Sequence, residues 1–391
     1  MSSALVSMLI SRKLGIHSSR SAKKRILYNV LLVTLVVASL VFAQLFVVSM
    51  SNGIANKYAL LGNGHLQVHE KPGTTIPTHP EIVDVQLVAQ TFSLVYSPSK
   101  NLMVRLKGVE SSYFNEERKQ ALTFLDPPLD ANGSTLPQVL LSTTLANLLG
   151  VGQGDRIALM MINNTSLRPQ LCIVGNLYDS GYKELDENLM FCDISLMEKL
   201  FSTKADTYYE ILVANNAIRP VRQFLEGEGL SVTSWDQENY AVATNLETSR
   251  QAVLGVMIVV AILCGYFISE LSRELIEDDK NRIALLKLLG ASNALVRSVY
   301  FSTVMIVTLI SILLGTALGI LLGLNLGSML SWLALRSIPA LSFYLLDFPV
   351  TIPLLDIAKI VLVLVLVSAL SVVWSIRRVR KIPLLQSTRF D

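Results

Sequence analysis

The sequence predicts a membrane protein with four transmembrane α-helices and a large α+β extracytoplasmic domain between the first and second of them. Three observations predict this. Four uncharged apolar runs are each long enough to cross a bilayer. The 200 residues from Ser51 to Arg250 mix short alternating runs with turn signals. Lys and Arg gather in the segments at one end of the four runs. Composition agrees: 51% of the 391 residues are hydrophobic and only 16% are charged, where soluble domains carry about 25%. No basic run interleaved with aromatics suggests a nucleic-acid face, so no nucleic acid is expected as a partner.

Ile26–Met50 carries no charge and exceeds the ~20 residues that cross a hydrocarbon core, which sets transmembrane helix 1 at 26–50. Gln251–Ser269 is the second uncharged run, bounded by Arg250 and Glu270, and helix 2 is placed at 251–272. The third run, Ser298–Leu335, loses its apolar character near Leu326, so helix 3 takes 295–325 and 326–356 is a short extracytoplasmic loop. Helix 4 takes 357–376, with Lys359 near enough to its end to snorkel.

Orientation follows from the short flanking segments. The N-terminal segment 1–25 carries Arg12, Lys13, Arg20, Lys23, Lys24 and Arg25. The 273–294 connection carries Arg273, Lys280, Arg282 and Lys287, and Arg297 follows it; the tail 377–391 carries Arg377, Arg378, Arg380, Lys381 and Arg389. Arg336 stands alone between helices 3 and 4. Both termini and the 273–294 connection are therefore expected in the cytoplasm. Ser51–Arg250 holds 15 Lys/Arg against 22 Asp/Glu, a net of −7, and does not oppose that orientation. The first run is too long for the core of a cleaved signal and is read as an uncleaved signal anchor.

Within 51–250, His65–His69 alternates after the Gly62-Asn63-Gly64 turn. Met103–Leu106, Arg156–Met160, Gln170–Val174 and Leu189–Cys192 read as strands. Ser142–Leu149 and Ile194–Phe201 read as short helices, and Pro127-Pro128 and Asp130–Pro137 as loop. Cys172 and Cys192 fall in strands; spacing leaves a disulfide open, and two small buried hydrophobes is the preferred reading.

Nothing in the chain assembles enzyme chemistry. His65 and His69 share one side of a strand, but two ligands are too few for a structural zinc site, so no metal is expected. Gly152-Gln153-Gly154-Asp155 precedes a strand, and no G-x-x-x-x-G-K-[ST] loop is present. No catalytic residue is assigned.

Arg273–Gly290 reads as a helix with Ile276, Ile283, Leu286 and Leu289 near one face. Gly290 suits its end and Ser292 suits the N-cap of the next helix. An apolar edge in the cytoplasm needs a cover. Glu270, Glu274, Glu277, Asp278 and Asp279 argue against an anionic lipid surface and for a protein partner. Ala4–Leu14 reads as an amphipathic helix lying on membrane lipid.

Ser311, Gly315, Gly319, Gly323, Gly327 and Ser331 recur every four residues along helix 3. Such a stripe lets another helix approach closely. Gln44 is a deep polar residue of helix 1; it is expected to bond within the bundle or to face a substrate cavity.

Several stretches resemble one superfamily. Ile283-Ala284-Leu285-Leu286-Lys287-Leu288-Leu289-Gly290-Ala291-Ser292 resembles the signature after the second span of MacB/FtsX-like permeases. Val151–Arg156 resembles their G-V-x-x-G-D turn. Val174-Gly175 with Gly181–Asp186 resembles a stretch of the lipoprotein-releasing, LolC/LolE-like branch. Tyr344–Val350 resembles the segment before the last span, and Ile382–Asp391 resembles the C-terminal tail, although Gln386-Ser387-Thr388 replaces its usual Glu-Ala-Leu. The resemblance implies a non-catalytic permease subunit of an ABC transporter, paired with a second permease copy or paralogue and a cytoplasmic ABC ATPase subunit. ATP and magnesium would be bound by that ATPase and no cofactor by this chain. It implies a coupling helix at 273–290 that seats Glu274, Ile283, Leu286, Lys287, Leu289 and Gly290 on the ATPase. The implied cargo is a lipoprotein, handed to a periplasmic carrier. A MacB-like exporter of peptides or drugs and an FtsX-like regulator of a cell-wall hydrolase are the alternatives.

Overall fold

The computed structural model describes residues 20–125, 136–160, 169–201, 205–214, 217–278, 291–328 and 350–376, with 283, 285 and 288 between. The Pro127-Pro128 loop, the 1–19 amphipathic segment, most of the 279–290 signature, Ser331 and the C-terminal tail lie outside the described residues. The chain divides into two compact units, one of long helices and one built on a sheet.

The helical unit holds four helices long and apolar enough to cross a membrane. They are α1 (Arg20–Lys57), α8 (Tyr240–Asp278), α9 (Asn293–Leu324) and α10 (Leu354–Ile376). Each outruns the apolar segment that predicts it or matches it within a few residues. Arg273 does not begin a new helix, as the sequence suggested; it continues α8. No Gly or Pro interrupts the backbone there, and Arg273 sits between Glu270 (2.5 Å) and Glu277 (3.8 Å) on one helix face, which supports continuation. Ser292 caps α9 as expected: its Oγ accepts the Leu295 N–H at 3.2 Å. Pro353 precedes α10, where its missing N–H costs nothing. Val37 and Val41 of α1, Cys264 and Ile268 of α8, Val304 and Ile312 of α9, and Leu364 and Val372 of α10 form the shared core.

The sheet unit is α+β. Its strands are β1 (Leu66–Val68), β2 (Ile82–Tyr96), β3 (Asn101–Val109), β4 (Thr123–Phe124), β5 (Gln138–Ser142), β6 (Arg156–Met160), β7 (Pro169–Asp179), β8 (Leu189–Asp193), β9 (Asp206–Val213) and β10 (Val232–Ser234). Short helices between them are α2 (Glu116–Gln120), α3 (Thr143–Leu149), α4 (Lys183–Asp186), α5 (Ile194–Phe201), α6 (Ile218–Gly227) and α7 (Trp235–Glu238). The order across the mixed sheet is β10-β1-β9-β2-β3-β8-β5-β7-β4.

Strand β2 is long enough to serve two neighbourhoods. Its first half, from Ile82 to Gln90, pairs with β9. Its second half pairs with β3 on one side and, through Leu94, Val95 and Tyr96, with β6 on the other. Because β6 also pairs with β7, the path β2-β3-β8-β5-β7-β6 returns to β2 and closes a six-stranded circuit. Closure removes free edges from those strands. Inside it Val95, Val104, Leu106, Leu141, Leu159 and Val174 pack with Cys172 and Cys192. Both thiols are free and buried, and burial raises both above the ordinary cysteine range.

Strand β1 departs from the alternation read in His65–His69: Leu66, Gln67 and Val68 are all buried. Both neighbours, β9 and β10, cover its edges, and the outward Gln67 turns its amide back to donate to Asn63 O at 2.9 Å. That hydrogen bond makes burial of a polar side chain tolerable.

Candidate functional site

In the helical unit the stripe of small residues meets α1. An added Cβ on Gly315 would stand 2.7 Å from Thr34 O and 2.7 Å from Val37 Cβ. On Gly319 it would stand 2.8 Å from Ala38 O and 2.8 Å from Val41 Cβ, and on Gly323 2.9 Å from the Leu45 methyls. Each glycine thus removes the atom that would hold the two backbones apart, and consecutive turns of α9 take consecutive turns of α1. Above Gly315, Ser311 O accepts from Thr34 Oγ1 at 3.3 Å. Gly327 does not belong to this contact. It is exposed, and a Cβ there meets nothing within 4 Å among the described residues. The reason is local: α9 ends at Leu324, Asn325 leaves helical geometry, and the four-residue step no longer returns to the same face. Gln44 is buried in α1, one residue before the Leu45 that seats Gly323.

A second close approach escaped the sequence reading. A Cβ on Gly265 of α8 would stand 2.6 Å from Val367 Cγ1 and 2.7 Å from Ser371 Oγ of α10. Ser375 Oγ donates to Ser269 O at 3.1 Å on the same pair of helices. A lone glycine without a repeat gives no pattern to read.

In the 273–290 segment Ile276 and Ile283 are buried and belong to the core cluster of the helical unit that also holds Val296 and Tyr300. Among the described residues of the segment, the exposed large apolar side chains are Leu285 and Leu288. Glu274 is half-buried; Leu286, Lys287, Leu289 and Gly290 lie outside the described residues.

In the sheet unit the chain following α1 forms a π-helical turn, Tyr58–Asn63, with every residue buried. Such turns are uncommon and leave carbonyls at the end without helical partners. Gly64, at φ +76°, ends the turn; a Cβ there would crowd Leu66 O at 3.0 Å. Two buried cations collect the orphan carbonyls. Lys107 Nζ donates to Leu61 O (2.8 Å) and Gly62 O (2.7 Å), and Arg118 Nε donates to Leu60 O (3.0 Å). Glu210 Oε1 lies 2.5 Å from Lys107 Nζ, and Asp84 Oδ2 lies 2.5 Å from Arg118 Nη1. Tyr113 ties the two halves together. Its hydroxyl donates to Glu210 Oε2 at 3.1 Å, and Arg118 stacks 4.0 Å from its ring centre.

Burial lowers the Lys107 ammonium to about 8, with the Glu210 carboxylate opposing that fall. Nearby, His65 is lowered to about 4 by burial and by the Arg118 charge; its Nδ1 accepts the Val213 N–H at 3.1 Å. Burial raises Asp186 to about 7 against the two Ser180 N–H contacts at 3.3 Å. Asp186 is the last residue of the Gly181–Asp186 stretch quoted above. His69 Nε2 pairs with Thr233 Oγ1 at 3.2 Å. Among the described residues no three His, Cys, Asp or Glu are grouped to hold a metal.

Comparison with known proteins adds family likeness. Residues 254–384 match the FtsX-like permease C-terminal family. Two proteins named lipoprotein-releasing system transmembrane protein LolC, from Xylella fastidiosa strains 9a5c and Temecula1, are 28% and 27% identical over 174 residues. The matched stretch spans 41% of this chain and 42% of each relative. Among solved structures, the extracellular domain of the noncanonic ABC-type transporter YknZ from Gram-positive bacteria is 13% identical with a TM-score of 0.28, covering 40% of this chain and 82% of that one. The periplasmic region of MacB from Actinobacillus actinomycetemcomitans is 9% identical with a TM-score of 0.28, covering 46% and 91%. The family match starts in the second apolar helix and ends beyond the fourth, so this part of the chain is similar to FtsX-like permeases, and a 174-residue stretch is similar to LolC proteins.

Proposed function

We propose that this chain is the permease subunit that couples ATP hydrolysis in a partner ATPase to the extraction of lipoproteins from a bacterial inner membrane. The cargo then passes to a periplasmic carrier. The observation that carries the reading is the 174-residue likeness to the LolC proteins. The geometry supports the mechanical part. A permease that transmits motion without threading cargo needs helices that move together, and the Gly315–Gly319–Gly323 contact with α1 supplies such a pair. Both termini and the 273–294 connection face the cytoplasm, where Leu285 and Leu288 meet the ATPase; a second permease copy or paralogue completes the transporter. ATP and magnesium stay with the ATPase.

Depletion of the protein in its source bacterium, followed by fractionation of lipoproteins, tests this. Mature lipoproteins should accumulate in the inner membrane. Normal sorting would overturn lipoprotein release and leave a MacB-like exporter or an FtsX-like regulator.

A further inference from the structure

The sheet unit carries an open cleft of about 590 Å³, within the ~300–1,000 Å³ range of small-ligand sites. Its existence follows from two local features of the sheet. The register of β5 on β7 shifts between Val139 and Leu140, so the two strands part there. Opposite the shift stands Gly175, where a Cβ would fall 2.6 Å from Gln138 Oε1. Gly175 thus lets the Gln138 side chain lie against the β7 backbone, and both residues line the cleft.

The interior is apolar and aromatic. Val139 and Phe191 are buried beneath it. Phe114 stands edge-on to Phe191 at 5.3 Å and to Phe124 at 6.2 Å, and Phe124 keeps 38% of its surface exposed. The charged lining residues have one sign. Glu110 and Asp193 are exposed carboxylates at the rim, and no Lys or Arg lines the cleft among the described residues. Parallel pairing of β3 with β8 sets Val109 on Asp193, which brings the neighbouring Glu110 to the same end of the cleft. An apolar body gains by leaving water for the aromatic wall. A cation gains beside two carboxylates, and an anion is repelled by them.

We propose that this cleft binds a small amphiphilic cation, with its apolar body on Phe114, Phe124 and Phe191 and its ammonium group at Glu110 and Asp193. The site is independent of the lipoprotein reading and of the helical unit.

Three probes with the same phenylbutyl body test it on the full-length protein in nanodiscs at pH 7: 4-phenylbutylamine, 4-phenylbutanol and 5-phenylpentanoate. Binding is read by calorimetry against protein-free nanodiscs, which subtracts partition into lipid. The amine should bind saturably, at least about tenfold more tightly than the carboxylate, with the alcohol between them. Glu110→Lys changes an exposed side chain, sets a cation against the remaining Asp193, and should abolish the preference for the amine over the carboxylate. Phe124→Ala should weaken all three probes alike. Absence of saturable amine binding, equal affinity of the parent protein for the three probes, or an undiminished amine preference in Glu110→Lys would each overturn the proposal.

Discussion

Lys107 Nζ lies 2.5 Å from Glu210 Oε1 with neither side chain reaching solvent, and the same ammonium group holds the carbonyls of Leu61 and Gly62. A buried ion pair by itself is weak support for stability, because desolvation consumes most of the attraction. Here the cation also satisfies carbonyls that the π-helical turn leaves open, so the pair and the turn stand or fall together. Lys107→Met should destabilise the protein by about 3–5 kcal/mol, since it strands a buried carboxylate and two carbonyls. Lys107→Met with Glu210→Met should recover part of that loss, and the remainder should reflect the carbonyls at about 1–3 kcal/mol. Thermal unfolding of the purified protein reads both. Equal stability of the single variant and the parent would remove the clamp from the account.

The glycine contact between α9 and α1 predicts a position-dependent series. Gly319→Val places a branched side chain where even a Cβ meets Ala38 O at 2.8 Å, and about 1–3 kcal/mol of overpacking is expected. Gly315→Val should behave alike. Gly327→Val should be silent, because that residue faces open space. Thermal midpoints in one detergent compare the three; a loss at Gly327 equal to that at Gly319 would contradict the assigned face.

In the 273–290 segment, Leu285 and Leu288 are the exposed apolar pair among the described residues. Leu285→Asp with Leu288→Asp should abolish co-purification of the ATPase while membrane insertion is retained. Ile283→Asp should instead lower the yield of folded protein, because Ile283 is enclosed by its own chain. ATPase recovered in full with the Leu285/Leu288 double variant would exclude this face as the contact.

His65 and Asp186 predict opposite pH dependences. His65 titrates near 4 in the fold against about 6.5 unfolded, so the unfolded chain binds the extra proton and stability falls as pH drops through that window. Asp186 titrates near 7 against about 3.8 unfolded, so the folded state holds the proton and stability falls as pH rises from 3.8 to 7. The two slopes oppose each other between pH 4 and 6.5. Asp186→Asn should therefore lose stability on acidification more steeply than the parent, and His65→Gln less steeply. Midpoints measured from pH 4 to 8 decide it; parallel curves for all three proteins would refute both assignments.

The four apolar helices were legible in the sequence because crossing a bilayer is a local demand: about 20 adjacent residues must be apolar, and no distant residue changes that requirement. The Ser292 cap was legible for the same reason, being a bond between neighbours. The four-residue spacing announced a close helix contact, yet only the fold chose α1 as its partner and ended the stripe before Gly327. Periodicity also placed Ile276 and Ile283 on one apolar face, and the acidic neighbours favoured a protein partner as its cover; the tertiary structure buries these two side chains within the chain itself. The clamp of Lys107, Arg118 and Glu210 could not be read at all. Isolated charges far apart in sequence look like surface residues, and only the pairing of β1 and β2 with β9 brings Glu210 beneath the turn that Lys107 and Arg118 hold. Sequence alone thus determined which segments leave water for lipid, since that is a sum over neighbours. Tertiary structure decided which buried polar groups meet and which apolar faces remain open, since each depends on a partner that no local pattern names.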